Sequence, residues 1–206
     1  MNNQSGWNWK KILFRTVGVI FAAYIILVIA RIPHAIEQQK TDEAVAKIHS
    51  TKLTLDDVMG RNLPPDPGPD ADKTVQGIDA NKNGIRDDVE LAIFKEYPKS
   101  AKTRAVLLQY ALALQMEVMQ PIVNEGTVGA VGEQGSRGYL CIGKILSRKD
   151  MTKYVEIGDK LRNFVEMREL NIDSRKNAQK IFYTYLKSGE VPNENPCDID
   201  VNSLEN

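Results

Sequence analysis

Residues 101–120 read A-K-T-R-A-V-L-L-Q-Y-A-L-A-L-Q-M-E-V-M-Q, and this stretch decides the fold class of the chain. Apolar side chains occupy nearly every face of a helix built from it, and Ser100 is a suitable N-terminal cap. Such a helix belongs at the centre of a bundle, because only neighbouring helices can cover all its faces. Charged and amide residues interrupt it too often for a membrane span. The sequence therefore predicts an all-α protein.

Helical patterns continue on both sides of this central stretch. Four more segments have apolar residues at helical spacing: 87–97, 139–146, 152–170 and 174–187. Glycine occupies every third position from Gly126 to Gly138, and each would cost about 1 kcal/mol within a helix. We expect a mobile loop there. The following G-x-x-x-x-G-K lacks the hydroxyl residue that holds magnesium, because Ile145 takes that place, so no nucleotide is expected.

Residues 79–90, just before the first of these helices, read D-A-N-K-N-G-I-R-D-D-V-E. Oxygen-bearing side chains stand at the first, third, fifth, ninth and twelfth positions, and glycine stands sixth, where a calcium loop turns sharply. The pattern resembles an EF-hand-type calcium loop. The resemblance implies side-chain ligands and one backbone carbonyl, in this order: Asp79, Asn81, Asn83, the carbonyl of Ile85, Asp87 and Glu90.

Two features separate this loop from paired EF-hands. Arg86 stands at the eighth position, where an apolar residue usually pairs with a second loop, and no helix enters from the proline-rich segment upstream. The loop is more similar to the single calcium loops of dockerins and thrombospondin type 3 repeats. Its two asparagines imply weak binding, with a dissociation constant of about 10⁻⁴ to 10⁻³ M and a structural role. The alternative is a metal-free turn in which Asp87 and Glu90 form a helix-start capping pair.

The N-terminus has the pattern of a membrane segment. Lys10 and Lys11 precede residues 12–30, which are almost entirely apolar and would cover about 28 Å as a helix. A retained anchor through residues 10–31 would cross the inner membrane once and leave the C-terminal domain outside the cytoplasm, since most basic residues precede the apolar run. A cleaved signal peptide is the alternative, and would give a secreted or periplasmic protein.

The segments combine into one predicted domain organisation. Four prolines within six residues indicate a stiff linker before the loop, and Thr54 with Asp57 could cap a single helical turn. The predicted segments are a membrane anchor or signal (1–33), a juxtamembrane stalk helix (34–62), a proline-rich linker (63–78), the calcium loop (79–90), the helical bundle (87–189) and a C-terminal coil (190–206). Export would favour a disulfide between Cys141 and Cys197 that ties the coil to the bundle, worth about 4 kcal/mol.

Composition excludes several functions. The chain beyond residue 31 has 23 basic and 27 acidic residues, which argues against nucleic-acid binding. His34 and His49 are the only histidines and form no zinc motif, and no catalytic serine motif is present. No pair of carboxylates is recognisable in an apolar setting. The expected protein is therefore not an enzyme.

We favour a membrane-anchored, extracytoplasmic, calcium-binding helical domain that acts as a binding or structural module. The overall arrangement resembles exported bacterial proteins of unknown function, and that resemblance implies no activity. The first alternative is an immunity- or inhibitor-type partner of another exported protein. The second is an enzyme, whose sign would be a concave pocket lined by paired carboxylates or by Arg137, Lys144 and Arg148.

Overall fold

The computed structural model describes residues 9–122, 124–187 and 195–205. These residues form seven α-helices and no strand, so the all-α prediction is confirmed. The helices are α1 (Trp9–Ser50), α2 (Leu55–Met59), α3 (Asp87–Glu96), α4 (Ala101–Met119), α5 (Glu125–Ile142), α6 (Met151–Glu169) and α7 (Asp173–Tyr185). Short 3₁₀ turns cover Gly68–Asp72, Gly143–Ile145 and Val201–Ser203.

Helix α4 lies at the centre of the bundle, as its sequence predicts. Fifteen of its nineteen residues are buried, and α2, α3, α5, α6 and α7 all pack against it. The Ser100 side chain accepts the N–H of Thr103 and caps its first turn. Helices α6 and α7 begin and end within about two residues of the predicted bounds, because their apolar residues recur at a regular helical spacing.

The glycine-rich segment is helix α5, so the prediction of a mobile loop was wrong. Asn124 and Thr127 form a capping box at its start. Its glycines allow the α5 backbone to approach α4 closely: a β-carbon at Gly138 would lie only 3.1 Å from the Tyr110 Cα. Packing against α4 offsets the propensity cost that each glycine carries in isolation.

Helix α1 continues through Pro33, so a separate stalk helix beginning at residue 34 was a wrong prediction. Proline has a helical φ and removes one hydrogen bond, which a long helix can tolerate. By length and composition, α1 is the one helix in the described part of the chain that could cross a membrane, and its apolar segment is exposed.

The chain divides into two units between Glu43 and Ala44. The second unit contains the bundle. We expected the bundle to begin at residue 87, but this unit begins at Ala44. Ile48, Leu53 and Val58 are buried in its core. Thr54 and Asp57 form the predicted capping box of α2, and Gly60 ends that helix with φ of 70°.

The proline-rich segment 63–78, which we predicted to be a stiff linker, packs on the bundle. Arg175 of α7 is fully buried, and its guanidinium donates to the backbone carbonyls of Ala71 (2.6 Å), Thr74 (3.1 Å) and Val75 (2.9 Å). It also forms an ion pair with Asp72 at 2.6 Å. One buried arginine therefore holds a segment whose only regular structure is one short 3₁₀ turn.

The predicted disulfide is present, since the sulfur atoms of Cys141 and Cys197 are 2.00 Å apart. The part of the C-terminal coil around Cys197 is ordered against the bundle. Asp198 accepts the N–H of Leu53 at 3.1 Å and the guanidinium of Arg137 at 2.6 Å. The last two residues of the predicted bundle, 188–189, and the first residues of the predicted coil, 190–194, lie outside the described residues.

Two glycines of α5 provide a matched test of the α4–α5 contact. We expect Gly138→Ala to lower the free energy of unfolding by about 1–3 kcal/mol, because its methyl group would press on the α4 backbone. Gly129→Ala has open space within 4 Å and should raise it by about 0.5–1 kcal/mol through helix propensity. Urea denaturation followed by circular dichroism measures both. Equal effects of the two changes would show that close packing does not explain the glycines.

Candidate functional site

The predicted calcium loop, residues 79–90, turns through two residues with positive φ. Gly84 at the sixth position has φ of 88°, and Lys82 has φ of 60°. Lys82 is the one non-glycine residue with positive φ in the described part of the chain. Because a positive φ is rare for residues other than glycine, contacts with the surrounding structure must hold this turn in its conformation.

Four of the six predicted ligand residues meet inside this turn. Asp79 accepts the backbone N–H groups of Asn83 at 3.2 Å and Gly84 at 2.9 Å. The side-chain amides of Asn81 and Asn83 both donate to Oε2 of Glu90, at 2.9 Å and 3.2 Å. The loop and the first turn of α3 are thus joined through Glu90.

The other two predicted ligands lie beside this group. Asp87 is buried, and its carboxylate accepts the N–H of Ala80 at 3.0 Å and 3.2 Å. The side chain of Ile85 is buried in the core, which leaves only its backbone for a ligand. Arg86 precedes α3 without a side-chain cap, and Glu90 bonds to the asparagines. The alternative capping pair of Asp87 and Glu90 is therefore not formed.

Glu90 is a buried carboxylate in an acidic setting. It is 1% exposed, and burial raises its pKa to about 7, with Asp57 and Asp87 acting in the same direction. Only the two asparagine amides act in the opposite direction. A buried carboxylate without a basic partner is costly unless it is protonated or meets a cation.

The residue types in the loop suit a cation that binds oxygen ligands, but the geometry of their side chains in this structure does not form such a site. Within the described residues, no group of three or more histidine, cysteine or acidic side chains is close enough to hold a metal. Asp79 and Asp87 bind backbone N–H groups, and the asparagines present nitrogen to Glu90. Rotating an asparagine amide by half a turn would present oxygen there without moving the backbone. The residues available are hard oxygen donors, which suit calcium.

The contacts of Arg86 explain why a charged residue stands at the eighth position of this loop. Its side chain is fully buried, and Nη1 donates to the Glu169 carbonyl at 3.0 Å while Nε and Nη2 donate to Asp88. Gly77 leaves room for it, since a β-carbon there would lie 2.8 Å from the Arg86 Cδ. The loop is therefore fixed to the end of α6 by one side chain.

The Glu169 carboxylate lies beside this arginine in the core. It is fully buried, its Oε2 is 3.6 Å from Nη1 of Arg86, and neither carboxylate oxygen has a hydrogen-bond partner. Burial raises the pKa of Glu169 to about 8, against the opposing effect of Arg86. Arg86 is thus the main compensation for an otherwise isolated acid.

A second site lies between α4, α5 and α7. A cavity of ≈ 440 Å³ is lined by Glu117 and by three tyrosines, Tyr110, Tyr139 and Tyr183. Burial raises the pKa of Glu117 to about 7, and Glu166 acts in the same direction, so two carboxylates do lie close enough to interact in a setting that the sequence did not reveal. In the sequence, Glu117 resembled any other polar interruption of an apolar helix. Its position on a helix without a polar face was the available signal.

The basic residues suggested for an enzymatic pocket do not line this cavity. Arg137 pairs with Asp198, and Arg148 lies over the Tyr154 ring. Ser136 does line it, but its hydroxyl bonds to no base within the described residues. Among the described residues that line the cavity, no nucleophile is therefore activated by a neighbouring base.

Removing Arg86 tests how the loop is held. We expect Arg86→Ala to destabilise the protein by about 3–5 kcal/mol, because it leaves Glu169 without a cation beside it and removes the buried hydrogen bonds to the Glu169 carbonyl and to Asp88. Arg61→Ala removes an exposed ion pair with Asp56 and should cost less than about 1 kcal/mol. Urea denaturation compares the two variants.

A double variant separates charge compensation from packing. Arg86→Met with Glu169→Leu removes both buried charges, and should recover a large part of the stability lost in Arg86→Ala. A double variant as unstable as Arg86→Ala would show that the hydrogen bonds of Arg86, and not its charge, hold the loop.

Comparison with known proteins adds no relative to this description. No protein-family model, curated protein or solved structure matches the chain. The function of both sites must therefore be inferred from their own residues.

Proposed function

We propose that this protein is a membrane-anchored, extracytoplasmic helical domain whose first core helix is stabilised by calcium, and that it acts as a binding or structural module. The observation that carries the proposal is the buried carboxylate of Glu90. It lies beside two asparagine amides and other acids, within the segment 79–90 that resembles an EF-hand-type calcium loop. A calcium ion would supply the positive charge that this position lacks.

The ligands for that ion come from two parts of the fold. Asp79, Asn81 and Asn83 belong to the turn, whereas Asp87 and Glu90 belong to the first turn of α3. An ion held by both parts would therefore add a link between the turn and the core. Arg86 already fixes the loop to α6, so calcium binding would increase stability rather than trigger folding.

The anchor and the disulfide support an extracytoplasmic location. The apolar part of α1 is exposed and follows two lysines, and the bond between Cys141 and Cys197 is of a kind that persists in oxidising compartments. Calcium is also abundant outside the cytoplasm, where a weak site could be occupied.

Calcium should raise the thermal midpoint of the protein. With a dissociation constant of about 10⁻⁴ to 10⁻³ M, about 10 mM calcium would add about 1–3 kcal/mol. Asp79→Asn and Glu90→Gln should each abolish most of this increase, because each removes a carboxylate ligand. Differential scanning fluorimetry in calcium and in chelator measures the effect.

A matched variant controls for non-specific ion effects. Asp70→Asn changes an exposed acid that pairs with Lys73 outside the loop, and it should leave the calcium response unchanged. Magnesium at the same concentration should stabilise less, since it requires a tighter octahedral site. An identical midpoint in calcium and in chelator for the unmodified chain would overturn the calcium part of the proposal.

Topology can be tested separately from calcium. Alkaline phosphatase fused after residue 206 should be active, because this enzyme folds only outside the cytoplasm, and the fusion should stay in the membrane after carbonate extraction. Replacing Lys10 and Lys11 by glutamate should reduce that activity, since the basic residues set the orientation. A shortened, soluble product would instead identify a cleaved signal peptide.

A further inference from the structure

The cavity between α4, α5 and α7 has the size of a small-molecule site. Its volume of ≈ 440 Å³ falls within the range of about 300–1,000 Å³ that is typical of ligand pockets. Leu114 and Leu186 contribute apolar wall, and Glu117 contributes a carboxylate. The polar group is set among apolar and aromatic surfaces, which is the usual arrangement in a specific pocket.

Among the described residues, Glu117 has no positively charged partner. The residue is 6% exposed, and its carboxylate accepts the Gln179 amide at 2.7 Å and the Tyr183 hydroxyl at 3.3 Å. No lysine or arginine within the described residues forms an ion pair with it, and Glu166 of α6 adds a second negative charge nearby. Glu166 in turn accepts the Tyr110 hydroxyl at 2.5 Å. The site is therefore electronegative.

Three tyrosines line the cavity together with this carboxylate. Tyr110 is buried on α4, while Tyr139 of α5 and Tyr183 of α7 are about half exposed. The face of an aromatic ring attracts a cation, and several rings around one carboxylate are suited to an organic ammonium group. Tyr139 already accepts such a contact from Arg162, whose Cζ lies 4.4 Å from the ring centroid.

Glycines keep the carboxylate open to the cavity. A β-carbon at Gly135 would lie 3.0 Å from Oε1 of Glu117, and one at Gly132 would lie 2.7 Å from the Leu186 side chain. Any larger residue at position 135 would thus cover the acid. Glycine at these two positions of α5 therefore allows close packing and also leaves the Glu117 carboxylate accessible from the cavity.

We propose that this cavity binds a small organic cation, an alkylammonium or quaternary ammonium compound, with Glu117 as its counter-ion and the tyrosine rings as its walls. A hydrated metal ion fits less well, because one carboxylate and aromatic rings cannot replace its water shell. The site is independent of the calcium loop, and its test does not depend on calcium binding.

The test uses the full chain in an uncharged maltoside detergent, with isothermal titration calorimetry. The probes are choline and benzyltrimethylammonium, each compared with its neutral isostere, in which carbon replaces the nitrogen. We expect each cation to bind at least about ten-fold more tightly than its isostere, the contrast produced by a desolvated charge contact. The proposal is overturned when neither cation binds more tightly than its isostere.

Variants assign the effect to the carboxylate and to the rings. Glu117→Gln keeps the shape and should abolish the preference for the cation, whereas Tyr183→Phe keeps the ring and should preserve it. Tyr183→Leu should weaken cation binding, and Gly129→Ala, outside this cavity, should change nothing. A cation preference that survives in Glu117→Gln would contradict the role given to this carboxylate.

The dependence on pH gives a second readout. Burial, with Glu166 on α6 adding to it, raises the pKa of Glu117, while Gln179 and Tyr183 on α7 lower it. Only the ionised acid can pair with a cation, and choline does not titrate, so choline affinity should fall about ten-fold from pH 8 to pH 6. Glu117→Gln should show a flat profile. A flat profile in the unmodified chain would mean that another group attracts the cation.

Discussion

Helix α4 has no face left for solvent, and the rest of the bundle depends on that constraint. Each buried polar side chain on it must find a partner inside the protein. Arg104 donates to the carbonyls of Val58, Tyr97 and Pro98, which hold the end of α2 and the α3–α4 turn. Gln109 donates to Pro196 and accepts from Asp198, and Gln115 donates to Gln76. The polar residues of the central helix thus position the irregular segments around it.

The turn at residues 79–90 is a single loop, and it is held by the bundle rather than by a second loop. Here Arg86 takes the position at which an apolar residue would pair with a partner loop, and it reaches Glu169 and Asp88 on the bundle. Arg175 does the same for the preceding segment through Ala71. A loop fixed at both ends has little freedom to move when an ion binds. This arrangement favours a stabilising role over a switching role for any ion bound there.

The sequence predicted those elements whose stability depends on residues within the same segment. The periodic apolar residues of α6 and α7, the cap at Ser100 and the two cysteines were sufficient, because each feature acts within its own segment or has one possible partner. Helix α5 was missed because the propensity cost of glycine is local, whereas the contact of Gly138 with α4 is tertiary. The docking of the linker was missed because Arg175 follows it by about a hundred residues. The acidic setting of Glu117 depends in the same way on Glu166, from another helix.

Within the part of the chain that the structure describes, Glu90 and Glu117 are both buried carboxylates without a positive charge beside them, but their surroundings differ. Burial raises the pKa of each to about 7, and neither has a basic partner among the described residues. Around Glu90 the neighbours are other acids and two asparagine amides that donate N–H groups to it, and the oxygens of these side chains would suit a hard, divalent ion once the amides rotate. Around Glu117 the walls are aromatic rings and leucines, which cannot replace a hydration shell but can surround an organic cation. The same charge can therefore select different ligands, because the surrounding atoms decide which cation loses least on leaving water.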